Sequence, residues 1–187
     1  TERKDSYRLQ AEALAQLCGT LGKGQKILIL NNPCNPTGAV YPDQELQALA
    51  KVCREEEVIV ISDEIYSLID FRKEKFSSIG RYLPESTVVT GGMSKAFSAG
   101  GWRLGLAFVP DAMSDMIKPW NALISETFSC VNAPVQYAAL EAFSQFEALR
   151  PQIQRFTEIH SVAGSYLFKR FMPVSYTHLT LPTTMLV

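Results

Sequence analysis

The sequence predicts an α/β fold built on a mainly parallel sheet, and three observations predict it. Two short apolar runs, residues 26–30 and 58–61, flank a stretch of helical periodicity. Strand, helix and strand with short connections make a βαβ unit, whose strands run parallel. A third run at 87–90 leads into a loop with five glycines in the fifteen residues 91–105. A fourth run, 104–109, follows a connection too short for a crossover helix, so it is expected to lie antiparallel to its neighbour.

Taken in order, Leu9, Ala13, Leu14, Leu17 and Leu21 recur at helical spacing and predict an amphipathic helix over about 9–21, ended by Gly22 and Gly24. Residues 26–30 are too few and too apolar for anything but a buried strand. Residues 31–38, with prolines at 33 and 36, form a turn-rich loop. Pro42, Asp43 and Glu45 open the next helix, because proline and acids suit a first turn. Leu46, Leu49, Ala50 and Cys53 are its buried stripe, and Glu55, Glu56 and Glu57 its solvated end. The second strand, 58–61, runs into Ser62, Asp63, Glu64, Ile65 and Tyr66. Residues 71–84 read as irregular, with a helical turn near 77–82. After Pro110 helices are expected at about 111–127, 133–146 and 147–171, with Pro151 in the first turns of the last, where proline is tolerated.

Composition excludes several classes of function. With 187 residues, 47% hydrophobic and 20% charged, the chain can bury a core of ordinary size. A net charge of −1 offers no basic field, so neither nucleic acid nor an acidic membrane surface is an expected partner. No apolar run reaches the roughly 18 residues that span a bilayer. Four cysteines without a CxxC pair, and only two histidines (His160 and His178), give no metal site and suit reduced thiols in a cytoplasm. The charged start at Thr1, without methionine or signal peptide, is expected of a piece cut from a longer chain.

The residues with chemistry to offer gather at one edge. Asn35 follows the first strand, Asp63 and Tyr66 the second, Ser94 and Lys95 the third. In an open parallel sheet, ligands bind beyond the carboxyl ends of the strands. Taken singly, each residue has an ordinary role. Lys95 and Arg103 could be surface charges, Asp63 a turn cap, Tyr66 core filling, and Asn35 a turn residue before proline. Cys34 lies near the edge with no base beside it and is read as non-catalytic.

Together they carry a resemblance. Asn32-Pro33-Cys34-Asn35-Pro36-Thr37-Gly38, Asp63-Glu64-Ile65-Tyr66, and Ser94-Lys95 with Arg103-Leu104-Gly105 resemble the fold-type I, pyridoxal-phosphate-dependent aminotransferases of classes I and II. The spacings agree: 28 residues from Asn35 to Asp63, 3 to Tyr66, 29 to Lys95 and 8 to Arg103. The likeness covers about residues 9–172. It implies a three-layer α/β/α large domain, incomplete here, with pyridoxal 5′-phosphate as cofactor. It also implies that the parent moves an amino group between an amino acid and a 2-oxo acid, as a homodimer.

By that resemblance Lys95 forms the Schiff base with the cofactor aldehyde and carries the proton. Asp63 faces the ring nitrogen, Tyr66 and Asn35 the ring oxygen, and Arg103 the phosphate, with Ser94 beside the lysine as a further cofactor-binding residue. Asn35-Pro36 becomes a candidate cis peptide. Lys95, Tyr66 and Asp63 are thus the catalytic candidates, and these three with Asn35, Ser94 and Arg103 the cofactor-binding ones. Gly92 departs from the pattern, since close relatives often carry a phosphate-binding serine there. The implied division is a partial cofactor-binding large domain at 1–146 and a long helix toward the small domain at 147–172. Residues 173–187 are read as a non-native tail. From 174 onward there is no charged side chain and there are four threonines, like translated read-through of a sequencing adapter. The family's other phosphate, ring-stacking and carboxylate-binding groups lie outside these residues, so the isolated chain is expected not to transaminate. Three alternatives share the scaffold: a carbon–sulfur lyase, a decarboxylase, and the aminotransferase-like sensor of a transcriptional regulator. Trp102-Arg103-Leu104-Gly105 leans toward the free-standing enzymes.

Overall fold

A computed structural model describes residues 5–72 and 74–171. The sheet has four strands in the order β1-β2-β3-β4: β1 Lys26–Asn31, β2 Val58–Asp63, β3 Thr87–Gly92 and β4 Gly105–Phe108. β1, β2 and β3 are parallel, and β4 is antiparallel to β3, as the connection lengths predict. Among the described residues five α-helices accompany them: α1 Ala11–Leu21, α2 Asp43–Glu55, α3 Ile117–Thr127, α4 Ala133–Ser144 and α5 Phe146–Phe171. The expected tail at 173–187 and residue 172 of the expected long helix lie outside the described residues.

α2 forms where the sequence places it. Asp43 and Glu45 sit in its first turn and Arg54 in its last, each complementing the helix dipole. Leu46, Leu49, Ala50 and Cys53 face inward at 0–1% exposure. They meet Leu30, Val58, Val60, Ile79 and Leu83 in the main core. Burying a leucine this fully contributes about 2–3 kcal/mol, so this helix face anchors the sheet. Burial pushes the Cys53 thiol up to about 11, which keeps it protonated at neutral pH. α2 ends at Glu56, and Glu57 turns into β2 with a left-handed φ of 53°. Lys26 ties the start of β1 to this corner, reaching the Glu56 carbonyl at 3.0 Å and its carboxylate at 3.3 Å.

Two details differ from the sequence reading. In α1 it is Leu14 and Cys18 that are buried, while Leu17 and Leu21 are exposed; α1 touches the core along a narrower stripe than its leucines mark. The stretch expected as one helix over 111–127 divides into 3₁₀ turns at Asp111–Met116 and α3. Pro119 explains the break: it has no N–H for the Asp115 carbonyl, and its ring crowds that carbonyl. Trp102, Phe128 and Tyr137 are exposed on this chain.

α1 and α2 lie over one face of the sheet. On the other face Ile27 and Ile29 are 57% and 72% exposed, because strand alternation turns them away from the Leu28 and Leu30 side. A second cluster, Met93, Ala99, Leu104 and Ala139 with Phe97, Leu106 and Val135, packs the glycine-rich loop against α4.

Candidate functional site

The site stands at the carboxyl ends of β1, β2 and β3, and sheet register assembles it. Asn31, Asp63 and Thr90 are cross-strand partners in successive strands. Adjacent strands lie about 4.8 Å apart, and partners in register point to the same face. Their side chains therefore form one row along the edge.

Asp63, at the end of β2, lines a pocket of about 290 Å³ together with Ile65, Thr90, Ser94, Arg103 and Leu104. The pocket thus joins one carboxylate, two hydroxyls and one guanidinium, and Asp63, Ser94 and Arg103 are three of the six residues singled out in the sequence. Asp63 Oδ1 accepts from the Ile65 N–H at 3.2 Å, and Oδ2 accepts from Asn31 Nδ2 at 3.2 Å.

The other three meet beside it. Lys95 Nζ stands 5.5 Å from the centre of the Tyr66 ring, within range of a cation–π contact. Asn35 Nδ2 donates to the Tyr66 hydroxyl at 3.4 Å. The turn after β2 carries Tyr66: the Glu64 N–H donates to the Thr90 carbonyl at 2.9 Å, and the Ser67 N–H closes on the Glu64 carbonyl at 2.9 Å.

Packing on both sides fixes the Lys95 loop. Met93 and Ala96 are 2% and 5% exposed. Between them Ser94 and Lys95 are left half-buried at the rim. Ser98 N–H donates to the Lys95 carbonyl at 3.0 Å and Ala99 N–H to the Met93 carbonyl at 3.2 Å. Phe97 meets Phe143 of α4 edge-on, ring centres 5.4 Å apart. The turn Gly100–Trp102 ends at Arg103, which holds a left-handed φ of 55°. That conformation disfavours a side chain with a Cβ and is concentrated at functional turns. Arg103 Nη1 donates to the Gly100 carbonyl at 2.7 Å.

Gly92 has a local cause here. A Cβ on it would stand 2.7 Å from the Leu104 carbonyl oxygen and 3.2 Å from Gly105 Cα. The close pairing of β3 with β4 leaves no room for the expected serine.

The Asn-Pro loop is held by two asparagines, Asn31 and Asn32. Buried Asn32 donates to the Ser77 carbonyl at 3.3 Å and accepts the Tyr41 N–H at 3.1 Å. Asn31 Oδ1 accepts the Asn35 N–H at 2.6 Å. Gly38, at φ 69°, closes the loop onto the Cys34 carbonyl at 2.8 Å. Asn35-Pro36 is cis, as the resemblance implies, and so is Asn32-Pro33. The signal for Asn31 was its place: it ends the first apolar run as Asp63 ends the second.

Glu64 points away from this row. It accepts from Ser62 Oγ at 2.9 Å and from Ser78 Oγ. Burial pushes its carboxyl above the usual carboxylate range, opposed by the two hydroxyl bonds and reinforced by the Asp63 charge. Among the described residues there is no cluster of metal-ligating side chains, and no helix is long and apolar enough to cross a membrane.

The chain is similar to several known proteins. The family "Aminotransferase class I and II" matches residues 1–186. The chain is 38% identical over 135 residues to the aspartate/prephenate aminotransferase of Thermus thermophilus, covering 72% of this chain and 34% of that protein. It is 41% identical over 144 residues to the aspartate aminotransferase of Geobacillus stearothermophilus, covering 75% and 35%. The solved Thermus thermophilus aspartate aminotransferase with maleate superposes at a TM-score of 0.82 with 31% identity, over 92% of this chain and 44% of that one. The chain thus spans about a third of the length of the curated relatives it matches. With a mixed, mostly parallel sheet shared with those structures and a family match along nearly its whole length, the chain belongs to the class I and II aminotransferase family.

Proposed function

We propose that the chain carries the cofactor-binding centre of a pyridoxal-phosphate-dependent aminotransferase whose full-length form moves an amino group between an amino acid and a 2-oxo acid. The observation that carries this reading is one edge of the sheet. Asp63, Ser94 and Arg103 line a single pocket there, with Lys95, Tyr66 and Asn35 in contact beside it.

The donor set fits such a group. A cationic ring nitrogen needs a carboxylate, a phosphate needs a guanidinium and a hydroxyl, and an aldehyde needs an amine. Asp63 would sit at the nitrogen, with Arg103 and Ser94 at the phosphate. Tyr66 and Asn35 would donate to the ring oxygen. With Gly92 unable to carry a side chain, the phosphate depends on Arg103, Ser94 and backbone N–H groups. When bound, the cofactor supplies an electron-withdrawing ring. Lys95 Nζ would anchor it and, once displaced by the substrate amino group, would take up and return the proton at the substrate Cα. Asp63 would keep the ring nitrogen charged by pairing with it.

The similarity to aspartate aminotransferase and aspartate/prephenate aminotransferase favours amino transfer over the lyase, decarboxylase and sensor readings. A cytoplasmic homodimer is part of the same proposal. The test is product analysis with the full-length protein. With an amino acid and a 2-oxo acid supplied, it should yield the exchanged pair, while the 187-residue chain alone yields none. Release of ammonia or carbon dioxide in place of exchange would overturn the reading.

A further inference from the structure

We propose that Asn31 is a positioning residue of this site, and that it sets the direction in which Asp63 presents its carboxylate. The proposal rests on the cofactor reading above and extends it to a residue outside the family motif. Asn31 ends β1 directly opposite Asp63 at the end of β2. Its side chain spans two groups. Nδ2 donates to Asp63 Oδ2 at 3.2 Å and also to the Asp63 carbonyl at 3.2 Å, while Oδ1 accepts the Asn35 N–H at 2.6 Å.

Chemistry fixes the orientation of that amide. The Asn35 N–H can only donate and the carboxylate can only accept, so turning the amide over would break both contacts. The Ile65 N–H holds the other carboxylate oxygen at 3.2 Å. Donors on two different oxygens, one from β1 and one from the turn after β2, fix both side-chain torsions of Asp63. The remaining lone pairs then face the pocket that Asp63 lines. Through Oδ1 the same side chain links Asp63 to Asn35, whose amide bonds Tyr66. One neutral amide thereby sets the spacing between the group assigned to the ring nitrogen and the pair assigned to the ring oxygen.

Binding of pyridoxal phosphate to the full-length protein tests this, measured as a Kd by fluorescence titration in a double-mutant cycle with Asp63→Asn. Asn31→Ala should weaken binding about 10- to 100-fold, the range for losing a hydrogen bond to a charged group. In the Asp63→Asn background the same change should cost clearly less, because the charged acceptor is gone and only the Asn35 arm remains to be lost. Asn31→Asp keeps size and the acceptor for the Asn35 N–H, so it probes the Asp63 arm even where the alanine variant folds poorly. Two facing carboxylates should weaken binding at least as much as the alanine change. Loss of equal size in both backgrounds, or an Asn31→Asp variant with the wild-type Kd, overturns the proposal. A wild-type protein that takes up no pyridoxal phosphate contradicts the cofactor reading itself, and the proposal with it.

Discussion

At the scale of single residues, two neighbouring acids at the end of β2 have opposite surroundings. Asp63 faces the pocket with a donor on each oxygen, while Glu64 lies on the other side of the chain among serine hydroxyls and apolar atoms. Burial raises the Glu64 pKa above its ordinary value near 4.5. The folded state therefore binds that proton more tightly than the unfolded state. Stability must fall as pH rises from about 4.5 through the raised folded value, since the unfolded chain ionises first. Glu64→Gln keeps an oxygen for both serines and cannot ionise. Its stability relative to wild type should rise by up to about 1.4 kcal/mol per pH unit within that window, and level off above it. Urea denaturation at pH 4, 5.5 and 7 reads this directly. A constant difference between variant and wild type across those values would remove Glu64 as the cause.

At the scale of elements, the joint between β3 and β4 places the lysine loop. Gly92 ends β3 opposite Gly105, and a Cβ there would press on the Leu104 carbonyl, a backbone atom that cannot swing aside. Gly92→Ala gains about 0.4–1 kcal/mol from a stiffer unfolded chain. Overpacking against fixed atoms costs about 1–3 kcal/mol. The clash is the larger effect, so the variant should be less stable by about 1–2 kcal/mol and the pocket wall at Leu104 displaced. A midpoint of denaturation equal to or above that of wild type would show that β4 yields instead. The directions of β1, β2 and β4 were legible in the sequence because the 26–30 and 58–61 runs are too short for helices and the link to 104–109 is too short to cross over. The Gly92 contact was not legible, because it depends on where the Leu104 carbonyl lies across the ladder. The break before α3 was written in Pro119 but hidden by continuous apolar spacing. The leucines of α1 overstated its buried stripe, since periodicity marks a face and does not say how much of it is covered.

At the scale of the whole molecule, a core under α2 holds three parallel strands whose ends carry the candidate chemistry. The candidates Asn35, Asp63, Tyr66, Ser94 and Lys95 could be singled out in the sequence because each stands at or beyond a strand end, and Arg103 because its spacing from Lys95 resembles the family's. Asn31 could not, because its function depends on pairing with Asp63 across strands and not on its neighbours in sequence. The open face bearing Ile27 and Ile29 accords with a chain spanning about a third of its relatives' length. For this reason the central claim is best tested in the full-length protein. That claim is that Lys95, at the rim beside Tyr66, is the residue that attaches pyridoxal phosphate. Borohydride reduction of the loaded protein, proteolysis and mass spectrometry should find the reduced cofactor on the peptide containing Lys95. Lys95→Ala should carry none. Cofactor retained covalently by the Lys95→Ala variant, or found on another lysine of the wild type, would contradict the account.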